Sequence, residues 1–401
     1  MMASRAGWFS VLLFTAGVFT LNFILPSDLN NWSTELNFSL SALQDDSVLR
    51  EETSWRYTDS EFGRRPLMIN LLRYTTAWTG WSYNLAFLWW QLVAYLLNLW
   101  VLNWLARLVW RRVWPPLSVI LVFATSFPNV FLFVAHAHTY DDLFQYAAIL
   151  LSIGYCLGGR LLPACLAIMA SCVIRETSVL FLPVYALLLH HTLPPSKRRV
   201  GWLVPGLAVA LAGAILYVYA SSLLVASAEF TVRNRVYAWQ ENLSSWARIS
   251  EALWLPVLIL LPGWLLLRSH APLIGRHTAT VPAAAAVLRY SYLPLCIINT
   301  LLVWFLAKAN EPRLFILPLL LVLPLTPPVV ARWLSQPRLL LAGWSVPDWC
   351  TTLLAVLLVQ LLYQPSVGGT GYAFRAYVVI WTVAVVTRWR STPVDLSRSS
   401  G

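Results

Sequence analysis

The sequence predicts an all-α, polytopic membrane protein, and three observations carry that prediction. The chain of 401 residues is 59% hydrophobic and 11% charged, with a mean hydropathy of +0.65; a soluble domain carries about 25% charged residues. Several apolar runs reach the roughly 18–20 residues that cross a bilayer's hydrocarbon. Tryptophan and tyrosine, 22 and 16 in number, gather near run ends, as at Trp8, Trp81, Trp104, Trp202, Trp254 and Trp349, where interfacial belts form. A barrel would instead show segments of about 10 residues alternating in polarity.

The net charge of +11 comes from basic residues that punctuate apolar runs and form no patch, so it reads as membrane orientation and not as nucleic-acid binding. The five cysteines, Cys156, Cys165, Cys172, Cys296 and Cys350, lie inside or at the edge of apolar runs. None has metal-like spacing, and they read as small packing residues. Trp8–Leu25 is the first span. It resembles a signal peptide, but with no clear small-x-small site it reads as an uncleaved anchor.

A long polar segment, residues 26–82, forms the first outer loop. Within it Leu67, Met68, Leu71 and Leu72 recur at helical spacing, which predicts a short helix on the membrane surface. Spans follow at Tyr83–Leu105, Leu117–Val134 and Leu143–Leu157. Leu161–Leu189 is bounded by Arg160 and by Lys197, Arg198 and Arg199, so both ends should be cytoplasmic. Its 29 residues are too few for two crossings, and Arg175-Glu176-Thr177 interrupts them. Two short helices that meet inside the membrane and return satisfy both constraints. Further spans are expected at Gly201–Leu224, Leu253–Leu267, Tyr290–Leu306, Leu314–Ala331, Trp349–Tyr363 and Ala376–Thr387, ahead of a short cytoplasmic tail, residues 388–401. Residues 1–401 thus read as one integral membrane domain of about ten crossings plus a re-entrant pair.

Charge counting supports this topology with the N-terminus in the cytoplasm. The cytoplasmic segments hold 16 Lys and Arg against Asp348 and Asp395, whereas the outer segments hold 11 against 14 carboxylates, as the positive-inside rule requires.

Four groups of residues are candidates for chemistry. Asp59 and Glu61 are suited to general-base work on a hydroxyl, and Arg64 and Arg65 to holding a phosphate; a solvated loop explains the same four charges. Asp141-Asp142, with His136 and His138 just upstream, carries donors for a divalent cation, the only cofactor the sequence points to. A helix start with acidic residues in its first turn is the alternative. Arg175-Glu176 lies within an apolar stretch, where ionisable residues read as functional by default, or as a buried pair that stabilises the turn. Glu311 and Arg313 occupy a tight outer turn, where Arg313 can meet a lipid phosphate or simply snorkel. Asn31, Asn37 and Asn242 begin N-x-S/T triplets, which occur often by chance. No Walker loop or GxGxxG is present, so a nucleotide-linked donor handled by a cytoplasmic domain is not expected.

The order of these features, from the acidic outer loop through Asp141-Asp142 and the R-E-T turn at Arg175–Thr177 to the N-E-P-R-L-F turn at Asn310–Phe315, resembles the GT-C superfamily of multi-spanning glycosyltransferases. The likeness is to its bacterial mannosyltransferase-like members and covers roughly residues 8–335. It implies transfer of a sugar from a polyprenyl-phosphate donor to an acceptor on the outer face, with membrane lipid and no nucleic acid as partners. It further implies Asp59, then Glu61, as the catalytic carboxylate, with Asp141 and Asp142 as the second acidic position. Arg175 and Arg313 would meet the donor phosphate. Asp28 or Glu35 is the alternative catalytic match, because Asp59 lies over thirty residues beyond the first span. The rival function is a transporter or flippase for a lipid-linked or small anionic substrate, which predicts internal repeats and broken helices.

Overall fold

Residues 83–110 contain neither proline nor glycine, and they fold as one uninterrupted helix. The computed structural model describes residues 50–51, 53–54, 65–110, 116–124, 141–222, 237–269, 282–307, 312–327, 330–331, 346, 350 and 354. Nine helices organise the description. They are α1 (Pro66–Thr79), α2 (Tyr83–Trp110), α3 (Pro116–Ala124), α4 (Asp142–Leu157), α5 (Leu161–Ile174), α6 (Leu182–Thr192), α7 (Arg198–Ser222), α8 (Trp246–Ser269) and α9 (Pro282–Leu306). Among the described residues there is no strand. Three helical stretches among the described residues, Tyr83–Trp110, Pro195–Tyr219 and Ala285–Leu306, are long and apolar enough to cross a membrane.

Helices α1 and α2 form a hairpin. Pro66 starts α1, where its missing N–H removes nothing the helix needs. Gly80 ends it with φ +72°, its N–H donating to the Thr76 carbonyl at 3.0 Å; side chains other than glycine's are disfavoured in that left-handed conformation. Ser82 then caps α2 by accepting from the Leu85 N–H at 3.1 Å. The arms lie antiparallel, with the Trp90 indole N–H donating to Thr75 Oγ1 at 2.9 Å. The stretch read from sequence as a surface helix is therefore helical, but it buries Met68, Ile69 and Leu72 in the protein core and packs on α2 and α5.

Helices α4, α5 and α6 form the centre. A turn at Gly158-Gly159, with Gly159 at φ +63°, reverses the chain between α4 and α5. Helix α6 brings it back to the same end, where the Thr192 hydroxyl donates to the Cys156 carbonyl at 2.9 Å. The returning pair bounded by basic residues is thus present, broken at Arg175 as the charges predict. Helix α2 runs parallel to α4, since Asn98 Nδ2 donates to the Leu143 carbonyl at 2.7 Å and Trp104 meets Tyr155 at 5.3 Å. Arg107, Arg160, Lys197, Arg198 and Arg199 therefore share one end of the bundle.

Leu314–Ala331 differs from expectation. In place of a long helix it forms three 3₁₀ turns, Pro312–Phe315, Leu317–Leu321 and Leu323–Leu325. Pro312, Pro318 and Pro324 each lack an N–H and clash with the preceding turn of an α-helix. Residues 315–327 are nonetheless buried, and the Leu314 and Pro324 carbonyls find donors from other elements. The Trp110 indole donates to Pro324 at 3.0 Å, and Asn299 Nδ2 to Leu314 at 2.9 Å. Asn242 serves the end of α9 likewise, donating to Trp304 and Ala307 carbonyls at 2.9 and 2.8 Å. That use satisfies helix-end carbonyls and closes Asn242 to a glycan.

Close packing of α4 on α2 depends on Gly154, where a Cβ would overlap the Trp104 ring. A helical Gly→Ala exchange usually gains up to about 1 kcal/mol, whereas overpacking costs about 1–3 kcal/mol. Gly154→Ala should accordingly lower the unfolding temperature in detergent. Gly206→Ala in α7, where a Cβ meets nothing within 4 Å, should leave it unchanged or raise it.

Candidate functional site

Antiparallel packing of α4 and α5 sets the N-terminus of α4 beside the C-terminus of α5, so Asp141 and Asp142 stand next to Arg175 and Glu176. Arg175 ends α5 in an extended conformation, φ −157° and ψ 128°. Successive side chains on extended backbone point to opposite sides, and the two neighbours separate accordingly. Arg175 turns inward to a salt bridge with Asp142, both buried. Glu176 turns outward to Arg65, which binds it through two donors, Nε to Oε2 at 3.1 Å and Nη2 to Oε1 at 2.5 Å. This fork is the strong geometry for a guanidinium and a carboxylate.

Arg65 arrives because α1 docks its N-terminus here. Arg65 occupies the N-cap position and makes no capping bond from its side chain. The cap comes from another helix: Asp141 Oδ1 accepts the Met68 N–H at 3.3 Å. A carboxylate there satisfies an orphan donor and meets the positive end of the helix dipole. Asp141 thus holds α1 in place, and α1 holds Arg65 against Glu176.

Past Arg175 the chain makes a 3₁₀ turn, Glu176–Phe181. Gln145, one helical turn after Asp141, fixes it by donating Nε2 to Thr177 Oγ1 at 2.8 Å and to Ser178 Oγ at 3.0 Å. Ser178 in turn donates to the Ser171 carbonyl at 2.8 Å. The irregular backbone is therefore tied to both α4 and α5.

Of the residues singled out in the sequence, Arg65, Asp141, Asp142, Arg175 and Glu176 come together at this junction. Asp59, Glu61, Arg64, His136, His138 and Glu311 lie outside the described residues, and so do Asp28 and Glu35. Arg313 falls in the turn Pro312–Phe315, which packs against α8 and α9; its side chain is not among those described. No group of three or more His, Cys, Asp or Glu able to hold a metal ion is found among the described residues. Sequence reasoning missed Gln145 and Asn98, although each is an amide inside an apolar run. Gln145 also carried a positional signal, since four residues after Asp141 it shares that residue's helix face.

The Asp142–Arg175 pair is costly to assemble, because removing two charges from water offsets much of their attraction. Its loss is asymmetric: one partner alone leaves an uncompensated buried charge. No protein-family model, curated protein sequence or solved structure matches the chain.

Arg175→Gln should therefore destabilise the fold by about 3–5 kcal/mol, whereas the apolar double exchange Asp142→Leu/Arg175→Met recovers most of that loss. Thermal unfolding followed by size-exclusion fluorescence reads both. Equal instability of the single and double variants would show that the pair is not the source of the effect.

Proposed function

We propose that the chain is a multi-spanning glycosyltransferase of the GT-C type, moving a sugar from a polyprenyl-phosphate donor to an acceptor at the outer membrane face. One observation carries this reading. Five ionisable residues from three distant stretches, Arg65, Asp141-Asp142 and Arg175-Glu176, converge at one junction in an apolar helical bundle. Charges inside a membrane are rare and mark sites of function. The basic cluster of Arg107, Arg160 and Lys197–Arg199 occupies the opposite end of α4 and α5. The positive-inside rule assigns that end to the cytoplasm and turns the junction toward the outer face. In this reading the N-terminus is cytoplasmic, the chain crosses about ten times, and α5 and α6 form the re-entrant pair.

The residues divide the chemistry between them. Asp59 and Glu61 lie six and four residues before Arg65, so the chain keeps both within about 21 Å of that anchored guanidinium. Asp59 takes the proton of the acceptor hydroxyl as its oxygen bonds to the sugar's anomeric carbon. The bond from that carbon to the phosphate oxygen breaks, and polyprenyl phosphate departs with the electron pair. Arg64 and Arg313 stabilise the charge that develops on it. Arg175, engaged by Asp142, positions the turn.

A second reading has one observation in its favour. The break at Arg175 and the 3₁₀ run Pro312–Leu325 are two interrupted elements in different halves of the chain, as transporters carry. Transport predicts substrate flux in liposomes without a change in the substrate.

Asp59→Asn should lower sugar transfer by about 10²–10⁴-fold while leaving the size-exclusion profile of the purified protein unchanged. Undiminished transfer by that variant would remove Asp59 from the base role. Flux of an unaltered lipid-linked substrate through liposomes, absent in protein-free vesicles, would replace the transferase reading with the transporter.

A further inference from the structure

The two ion pairs at the junction differ in one respect that decides what they can do. Asp142 and Arg175 are both buried, but the Glu176 side chain is 54% exposed while its partner Arg65 is 16% exposed. Exposure continues along one face of the turn. Side chains three residues apart eclipse in a 3₁₀ helix, and Val179, directly above Glu176, is 41% exposed. Ser178 and Phe181, the corresponding pair on the other face, are buried.

The depth of this open face fixes what it can be open to. Helix α5 has 14 residues between Arg160 and Arg175, which places Arg175 about 22 Å from Arg160 at the basic end. The hydrocarbon layer is about 30 Å thick, so the turn lies within it. The other side agrees, since Asn98, level with Leu143, is about 22 Å along α2 from Tyr83. A carboxylate facing lipid at that depth would be strongly unfavourable, and non-helical backbone there is tolerated only against protein or a water-filled cavity.

We propose that an aqueous crevice opens from the outer face of the membrane and ends at Glu176 and Val179, and that it receives a neutral, hydroxyl-bearing ligand such as a sugar. The ligand class follows from the state of the carboxylate. Arg65 already neutralises Glu176 and occupies one lone pair on each oxygen. The residue's own backbone N–H takes a further one, and carboxylate oxygens offer about four in all, so a lone pair remains on the exposed side. A hydroxyl can donate to it with no change of charge. A cation would have to compete with the Arg65 fork, and an anion would meet the carboxylate. The apolar Val179 beside it suits the carbon face of a sugar ring. The crevice is independent of the transferase reading, whereas the identification of its occupant as a sugar rests on it.

Cysteine accessibility tests both parts. Cys156, Cys165, Cys172 and Cys296 are buried and only Cys350 of the five is exposed, so Cys350→Ser supplies a quiet background. Val179→Cys leaves the Arg65–Glu176 pair intact and introduces a thiol on the open face. Trp78→Cys, at a position 92% exposed near the end of α1, is the reference. In sealed vesicles with the outer face outward, a charged, membrane-impermeant methanethiosulfonate should label Val179→Cys at a rate within about tenfold of the reference, because reaction needs a hydrated thiolate. Free hexoses should slow that labelling, and Glu176→Leu/Arg65→Met should abolish the protection. Labelling by lipid-soluble N-ethylmaleimide alone, or by neither reagent, overturns the crevice. Labelling that choline slows and hexoses do not overturns the ligand class. Failure to detect sugar transfer by the unaltered protein, with labelling and protection intact, would count against the transferase reading and leave the crevice standing.

Discussion

Everything at the centre of this protein depends on how two adjacent residues of opposite charge are accommodated in an apolar bundle. A regular helix through Arg175 and Glu176 would hold their side chains about 100° apart on one cylinder. The extended backbone at Arg175 instead sends them to opposite sides, and each meets a partner from a different element. The break in the helix accompanies that separation, and Asp141 and Gln145 fix α1 and the 3₁₀ turn around it. Hydrophobic packing alone would be satisfied by many arrangements of apolar helices; the charges select this one.

The same junction couples distant parts of the chain. Helix α1 has no capping side chain of its own, and Asp141, some seventy residues later, accepts its Met68 N–H. Gln145 and Ser178 then tie the 3₁₀ turn to α4 and α5. The position of Arg65 is thus set by α4, and the position of Glu176 by α4 and α5 together. Their pairing reports whether all three elements are seated, so the half-exposed ion pair is more sensitive to the assembly than the buried one.

The sequence made some of this legible and concealed the rest, for physical reasons. Charges at Arg160 and Lys197–Arg199 bound a stretch too short for two crossings, and that arithmetic alone yields a returning pair broken near Arg175. Composition likewise predicts helices without strands. The proline run at Leu314–Ala331 was misread because hydropathy measures how apolar a stretch is and is blind to whether its backbone can keep α-helical bonds. The spacing of Leu67, Met68, Leu71 and Leu72 shows that α1 has an apolar face, but lipid and protein cover such a face equally well. The pairing of Arg65 with Glu176 across more than a hundred residues has no local signature at all. Asp59 and Glu61 stand outside the described residues, so the sequence reading of those two has no structural counterpart.

Polar side chains inside the apolar helices sort by what they do for the backbone. Trp110, Asn242 and Asn299 each donate to a main-chain carbonyl that a proline, a helix end or a turn leaves without its usual partner, and Asn98 ties α2 to the Leu143 carbonyl of α4. Gln145 serves the 3₁₀ turn in the same way through two hydroxyls. Asp141 serves an N–H, and Asp142 and Arg175 serve each other. Those contacts answer the need to satisfy polar atoms away from water. Glu176 is different, because Arg65 matches its charge while much of its surface stays open. A structural role would be met as well by a buried carboxylate, as it is in the Asp142–Arg175 pair. The fold instead leaves the carboxylate half-exposed, beside the likewise exposed Val179. A matched charge with an open surface is what the proposed crevice accounts for and a purely structural ion pair does not require.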